Sequence, residues 1–200
     1  MTFEEIHKAL VEKFGDKIGP LQPARRDPFC TVPGASIVEI CSFLKTDAAL
    51  DFDCLMNLSA VEPFKGKTAL LVVYHLFSYR KRHSFIVKVE LDRAAPLVPS
   101  VEPVWKAANW LEREQYDLLG VQFQGHPDLR RIMLPDDWVG HPLRKDYKEP
   151  DAYHNISHLR DSPLDGFVRL DELAKKVNAE KTAAAAAAAA EAAPKKELLQ

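Results

Sequence analysis

The sequence predicts an α+β fold: a small antiparallel or mixed sheet with helices packed on one face, followed by a long Pro-rich extended segment that binds partners. Three observations predict it. Two neighbouring runs, residues 68–77 and 84–91, are rich in β-branched and aromatic residues. Helical stripes lie before and after this pair rather than between its members. Beyond Val121, prolines at 127, 135, 142, 150 and 163 interrupt any regular pattern, and so long a loop within a compact domain normally carries function or a partner surface. The expected divisions are a core domain over 1–120, an extended interaction segment over 121–165, and a short helix with an alanine-rich tail over 166–200.

Thr2 to Glu5 has the spacing of a capping box, and Phe3, Ile6, Leu10 and Phe14 form a helical stripe that ends at Gly15. Residues 16–34 hold four prolines and two glycines, a turn-rich connection with room for a strand around Phe29 to Val32. Ser36 and Glu39 offer a second capping box, opening a helix with Ile37, Ile40, Cys41 and Leu44 inward. Asp51 to Asn57 is expected to add a short turn of helix, with a strand beginning near Leu58. The run from Thr68 to Phe77 predicts a central strand. Ser84 to Leu91 alternates apolar with polar residues, as a half-buried strand does. The link from Tyr79 to His83 is short enough for an antiparallel hairpin, and its three consecutive cations make a solvated tip, because no Gly-rich cradle accompanies them.

Pro96 and Pro99 end the sheet, and Pro103 to Leu119 predicts a helix, with Ser100 or Glu102 as its cap. Its charges are poorly placed for a solitary element: Glu112, Glu114 and Asp117 all fall in the half where the helix dipole is negative. Arg113 is spaced to meet Asp117, and Arg130 and Arg131 are placed to fold back on the carboxylates as planar donors. Trp110 and Tyr116 interleave with the charges, so no clean polar face remains. Downstream, Gly125-His126-Pro127-Asp128-Leu129-Arg130 and Gly140-His141-Pro142-Leu143-Arg144 form a near repeat. Each proline pushes its preceding His towards an extended conformation, so both imidazoles sit on rigid backbone suited to recognition.

The stretches Glu112-Arg113-Glu114, Tyr116-Asp117-Leu118-Leu119-Gly120, Gly125 to Arg131 and Gly140-His141-Pro142-Leu143-Arg144-Lys145-Asp146-Tyr147 resemble the signature of the C subunit of respiratory complex I, the proton-pumping NADH:quinone oxidoreductase. Weaker resemblance extends upstream through Val73 to Leu76, so that roughly residues 35–150 are covered. The resemblance implies a non-catalytic member of the hydrophilic peripheral arm. Such a protein binds no cofactor, while the whole complex uses NADH, FMN, iron–sulfur clusters and quinone. It packs chiefly on the D subunit, with the B subunit and the iron–sulfur proteins nearby, at the cytoplasmic face of the bacterial inner membrane. The implied partner surface comprises Trp110, Glu112, Arg113, Glu114, Tyr116, Asp117, His126, Pro127, Asp128, Arg130, Arg131, Trp138, His141, Pro142, Arg144, Lys145, Asp146 and Tyr147. Within it, the glutamates and Asp117 are expected to orient Arg130 and Arg131, leaving His126, Asp128, Trp138, His141, Arg144 and Tyr147 to face partners. The equivalent subunit of a membrane-bound hydrogenase or another-donor quinone reductase carries the same signature.

Composition agrees. A hydrophobic content of 46% suffices for one sizeable core, and a net charge of −2 gives no reason to expect nucleic acid. The longest strongly apolar run, Ala69 to Tyr74, is far short of the ~20 residues that cross a bilayer, so any membrane association is expected to come through partners. Cys30, Cys41 and Cys54 lack the pairing of an iron–sulfur motif and are expected to be buried, reduced thiols. A stand-alone His-metal hydrolase would have to use His126, His141, His154 and His158, but no His-Glu-x-x-His pattern occurs. Glu112 and Glu114 point about 200° apart on a helix and cannot share a substrate. Neither a catalytic residue nor a metal ligand is therefore expected on this chain.

Overall fold

The computed structural model describes residues 1–23, 27–63, 69–157, 172–173 and 175–179. The chain divides into two compact units, Met1–Lys148 and Glu149–Gln200. The first is built on a four-stranded mixed sheet in the order β1-β4-β3-β2, from strands Phe29–Val32 (β1), Cys54–Val61 (β2), Ala69–Ser78 (β3) and His83–Asp92 (β4). β3 pairs antiparallel with both β2 and β4, and β1 lies parallel to β4. Alternation decides what each face does. Leu70, Val72, Tyr74 and Leu76 are fully buried, whereas Leu71, His75 and Phe77 on the opposite side are only half-buried.

The α-helices of this unit bury apolar residues in one core with Leu70, Val72, Tyr74 and Leu76. Helix α1 (Phe3–Phe14) has the expected capping box: Thr2 Oγ1 accepts from the Glu5 amide, and Glu5 Oε2 accepts from the Thr2 amide. Its stripe brings the Phe3 ring within 6.2 Å of Phe85. Helix α2 (Ile37–Thr46) buries Ile37, Ile40, Cys41 and Leu44. The second capping box does not form: Ser36 closes a 3-10 turn in helical geometry, which leaves its hydroxyl no helix amide to accept, and Glu39 instead pairs with Lys17 at 3.4 Å. Burial pushes the Cys30 thiol up to about 12 and Cys41 higher still, so both stay protonated packing groups; Cys54 is only half-buried.

Two further elements depart from expectation. Residues 51–53 are not helical, and β2 starts at Cys54. There Cys54 and Leu55 pair with Phe77 and Leu76, and a bulge between Leu55 and Asn57 breaks the alternation that marks a strand in sequence. Helix α3 spans Ala108–Leu119 rather than starting at Pro103, because the Val101 carbonyl accepts from both Val104 and Trp105 and the Trp105 indole turns inward to donate to the Phe52 carbonyl. After α3 the chain returns at once to the core: β6 (Gln122–Gln124) pairs parallel with β5 (Leu97–Pro99), burying Phe123. Residues 125–148 have no strand or helix and belong to the first unit.

In the second unit, Ala152–Tyr153 (β7) and Ile156–Ser157 (β8) form a two-stranded hairpin. His154 and Asn155 occupy its turn at positive φ, as a type I′ turn requires. Residues 172–173 and 175–179 are helical, with Leu173 and Val177 exposed. The expected alanine-rich tail, and His158, lie outside the described residues. No helix among the described residues is long and apolar enough to cross a membrane.

Candidate functional site

Helix α3 buries its charges. Glu112, Arg113, Gln115 and Asp117 are all buried, while Trp110 is 65% exposed. Each buried polar group therefore needs a partner, since an unpaired buried donor or acceptor costs about 1–3 kcal/mol. Most of the partners come from segments distant in sequence, and they fix the path of residues 130–144.

Glu112 faces upstream. Its carboxylate accepts from Ser100 Oγ at 2.6 Å and from the Val101 amide at 2.8 Å, tying α3 to the segment that enters it. Burial pushes this carboxyl up to about 7, with the nearby Glu102 charge adding to the rise and the two hydrogen bonds opposing it. Gln115 Oε1 accepts from the Ala60 amide, capping the edge of β2. Arg113 donates through Nε to the Arg130 carbonyl, and its guanidinium lies 4.9 Å from the Trp110 ring centre. The expected Arg113–Asp117 pair does not form.

Asp117 organises the first loop. Its Oδ2 accepts from the amides of Ile132, Met133 and Leu134 at 3.1, 2.7 and 2.9 Å, and its Oδ1 accepts from Arg131 Nη1 at 2.8 Å. Burial works against the charged form, but the three amides and Arg131 outweigh it and hold the carboxyl below its ordinary value. Arg131 Nη2 reaches on to the Gly140 carbonyl, joining the two Gly-His-Pro segments.

The second segment caps the helix. The last four carbonyls of α3 have no partner within it, and all four are satisfied here. Gly120 donates to Tyr116 O, His141 Nδ1 to Asp117 O, the Leu143 amide to Leu118 O, and Arg144 Nε to Leu119 O. Gly120 is required twice over. It sits at φ 75°, and a Cβ there would lie 2.6 Å from His141 Cδ2. The clamp continues: the Lys145 amide donates to Glu62 Oε2 and Lys145 Nζ to the Pro63 carbonyl, while Arg93 bridges Glu62 and Asp146 at 2.7 and 3.0 Å.

The sequence-predicted residues thus fall into distinct positions. Glu112 and Asp117 are clasped inside the chain, but only Asp117 holds one of the two expected arginines; Arg130 pairs with Asp128 at 3.0 Å. Glu114 is half-buried and makes no ion pair among the described residues. The His126 side chain is buried. It accepts the Asp128 amide at Nδ1 and donates from Nε2 to the Asn109 carbonyl. The rings of His141 and Tyr116 meet edge-on at 6.4 Å. Pro127 and Asp128 are exposed, and Trp138, Pro142 and Tyr147 are half-buried. Glu62 and Arg93 escaped sequence reasoning, and Ser100, expected as a helix cap, donates instead to Glu112. Gly120, directly after the helix, carried the usual signal of a left-handed cap. No three metal-ligating side chains converge among the described residues.

Among the groups the clamp leaves outward are four large apolar side chains: Trp110, Met133, Val139 and Leu143 are 65%, 63%, 85% and 58% exposed. Trp110 stands on α3 itself, and the other three lie on backbone held by the bonds around Asp117, Gly140 and Leu118. Large apolar side chains on a pre-ordered irregular surface are a common mark of protein interfaces. The family described as "Respiratory-chain NADH dehydrogenase, 30 Kd subunit" matches residues 30–153, and the chain belongs to that family. It is 44% identical over 147 residues to the NADH-quinone oxidoreductase C subunit of Geobacter metallireducens, covering 72% of this chain and 90% of that one. The C subunit of Chloroherpeton thalassium is 40% identical over 154 residues, with 76% of this chain covered but only 64% of the longer relative. Among solved structures, a trypsin-resistant fragment of Nqo5 is 28% identical with a TM-score of 0.53, covering 62% of this chain and 98% of the fragment. A chain of the membrane-bound sulfane sulfur reductase, an archaeal respiratory membrane complex, shares the fold at 24% identity and a TM-score of 0.63, with 80% of this chain and 96% of that one covered.

Proposed function

We propose that this chain is a non-catalytic structural subunit of the peripheral arm of a proton-translocating NADH:quinone oxidoreductase. Residues 110–147 form its docking surface for the D subunit, with the B subunit and the iron–sulfur proteins nearby. NADH, FMN, iron–sulfur clusters and quinone are handled by those neighbours, and this chain supplies position and rigidity at the cytoplasmic face of the membrane. The observation that carries the reading is the clamped end of α3, where buried charges are spent on holding exposed Trp110, Met133, Val139 and Leu143 in fixed positions. An interface made this way loses little entropy on association, because its loops are already ordered.

The test is assembly. Met133→Ser combined with Val139→Asp alters only exposed side chains, for which stability changes stay within about 0.5 kcal/mol. The chain is expected to fold normally yet be missing from the purified oxidoreductase, with NADH:quinone activity of the membranes falling in parallel. Normal incorporation with full activity refutes the reading.

A further inference from the structure

Arg144 is held by one end only. Its Nε donates to the Leu119 carbonyl at 2.7 Å, which fixes the side chain against the end of α3, while both Nη groups lack a partner among the described residues. The guanidinium lines a groove of about 340 Å³ together with Val139, Gly140, His141, Asp146, Tyr147 and Lys148. The neighbouring Asp146 carboxylate forms no ion pair with it and pairs instead through Oδ1 with Arg93 Nη2 at 3.0 Å. Among the described residues the buried Tyr147 hydroxyl has no hydrogen-bond partner, and exposed Lys148 has no ion pair. The groove thus holds an immobilised guanidinium fork and a second cation beside the Asp146 carboxylate, and Val139 and Leu143, beside His141 and Arg144, give this segment two exposed apolar side chains.

We propose that this groove seats an Asp or Glu side chain of a sister subunit, gripped by the two Nη groups of Arg144. The inference rests on the functional reading above and names the chemistry of the contact. A planar fork with two free amines matches a carboxylate, and prior fixation through Nε reduces the rotamer entropy lost on pairing. The exposed Val139 and Leu143 favour a protein-borne carboxylate over a free anion, because a small ion would leave both in water.

A zero-length carbodiimide, which joins an amine to a carboxylate in direct contact, tests this on the assembled oxidoreductase. In the complex carrying Arg144→Lys, the new amine is expected to form an amide with an Asp or Glu of another subunit, located by mass spectrometry. In the unaltered complex, Lys148 is expected to link to the same stretch of that neighbour. The Lys106–Glu102 pair, at 2.7 Å within this chain, is the internal control for the chemistry. If the control link forms while position 144 and Lys148 link only to carboxylates of this chain, or to none, the proposal is overturned. If the Arg144→Lys chain does not incorporate, Lys148 in the unaltered complex decides alone. A chain that co-purifies with no other part of the oxidoreductase overturns the functional reading itself, a different result from one that co-purifies unlinked. Arg144→Met is expected to raise the fraction of chain stripped by a salt wash at least about tenfold, as for truncating one partner of an interfacial charge pair. Retention equal to the unaltered chain counts against the grip.

Discussion

Replacing Asp117 by Ala tests the clamp most directly. The carboxylate is fully buried, its partner Arg131 is 15% exposed, and three consecutive backbone amides converge on one oxygen. Truncation leaves a nearly buried guanidinium uncompensated, which costs about 3–5 kcal/mol for a pair of this kind. It also orphans the amides of Ile132, Met133 and Leu134, each at about 1–3 kcal/mol if they stay buried. Those costs do not add, because the loop can escape them by opening to water, and opening limits the loss to what the loop contributes. The expected result is therefore about 3–4 kcal/mol by urea unfolding, or a Tm lower by about 6–16 °C for a chain of this size. Exchange protection should collapse at residues 132–134 while the amides of β3 and β4 keep theirs. Asp117→Asn should lie between, since the amide retains one oxygen for the three N–H groups but turns a donor towards Arg131. Acid should act in the same direction. A carboxyl held below its ordinary value contributes stability above that value and loses it as pH falls through the folded-state pKa, so unfolding should steepen below about pH 4 in the unaltered chain and not in Asp117→Ala. If Asp117→Ala changes stability by less than about 0.5 kcal/mol and leaves residues 132–134 protected, the carboxylate does not organise this loop.

Glu112 should show the opposite pH dependence. With its carboxyl raised to about 7, the folded state holds a proton the unfolded chain has released, so stability should fall by up to about 3 kcal/mol between pH 4.5 and 7, and Glu112→Gln should flatten that fall. Parallel pH curves for the two chains would sink this assignment. Gly120→Ala should cost about 2–3 kcal/mol, more than the left-handed backbone alone, because its Cβ meets the His141 ring; adding His141→Ala should recover part of it in a double-mutant cycle. Gln115→Leu, which orphans the Ala60 amide, should lose about 1–3 kcal/mol and expose that amide to exchange. Arg131→Ala should leave a folded chain that fails to join the complex, read by co-purification.

Much of the architecture was legible because it depends on short-range pattern. The Thr2–Glu5 box, the Phe3–Phe14 stripe and the two central strands each carry their signal within a dozen residues, and each forms as read. Local reasoning failed where a distant partner prevailed. The bulge in β2 hid the start of that strand, Cys54 to Asn57, which cross-strand pairing with β3 creates, and Ser36, a good cap by type, was set in the wrong geometry by the turn before it. In the site, the spacing of Arg113 and Asp117 suggested a surface pair, but burial rewards the bond that satisfies the most orphaned groups, and Asp117 finds four donors in residues 131–134. His126, His141 and Arg144, expected to face partners, spend at least one donor each on the carbonyls of α3.

By itself the sequence determined the class of fold, the family and the stretch that carries the family's signature, because composition, periodicity and a continuous signature are properties of neighbours along the chain. The tertiary structure alone decided which charges of that stretch point inward. Desolvation is felt only when the helix is packed, and a buried carboxylate is tolerable only where loops from residues 100–101 and 131–134 arrive with donors. Packing therefore divides the signature into groups that hold the loops and groups that remain outward, and no spacing of letters contains that division.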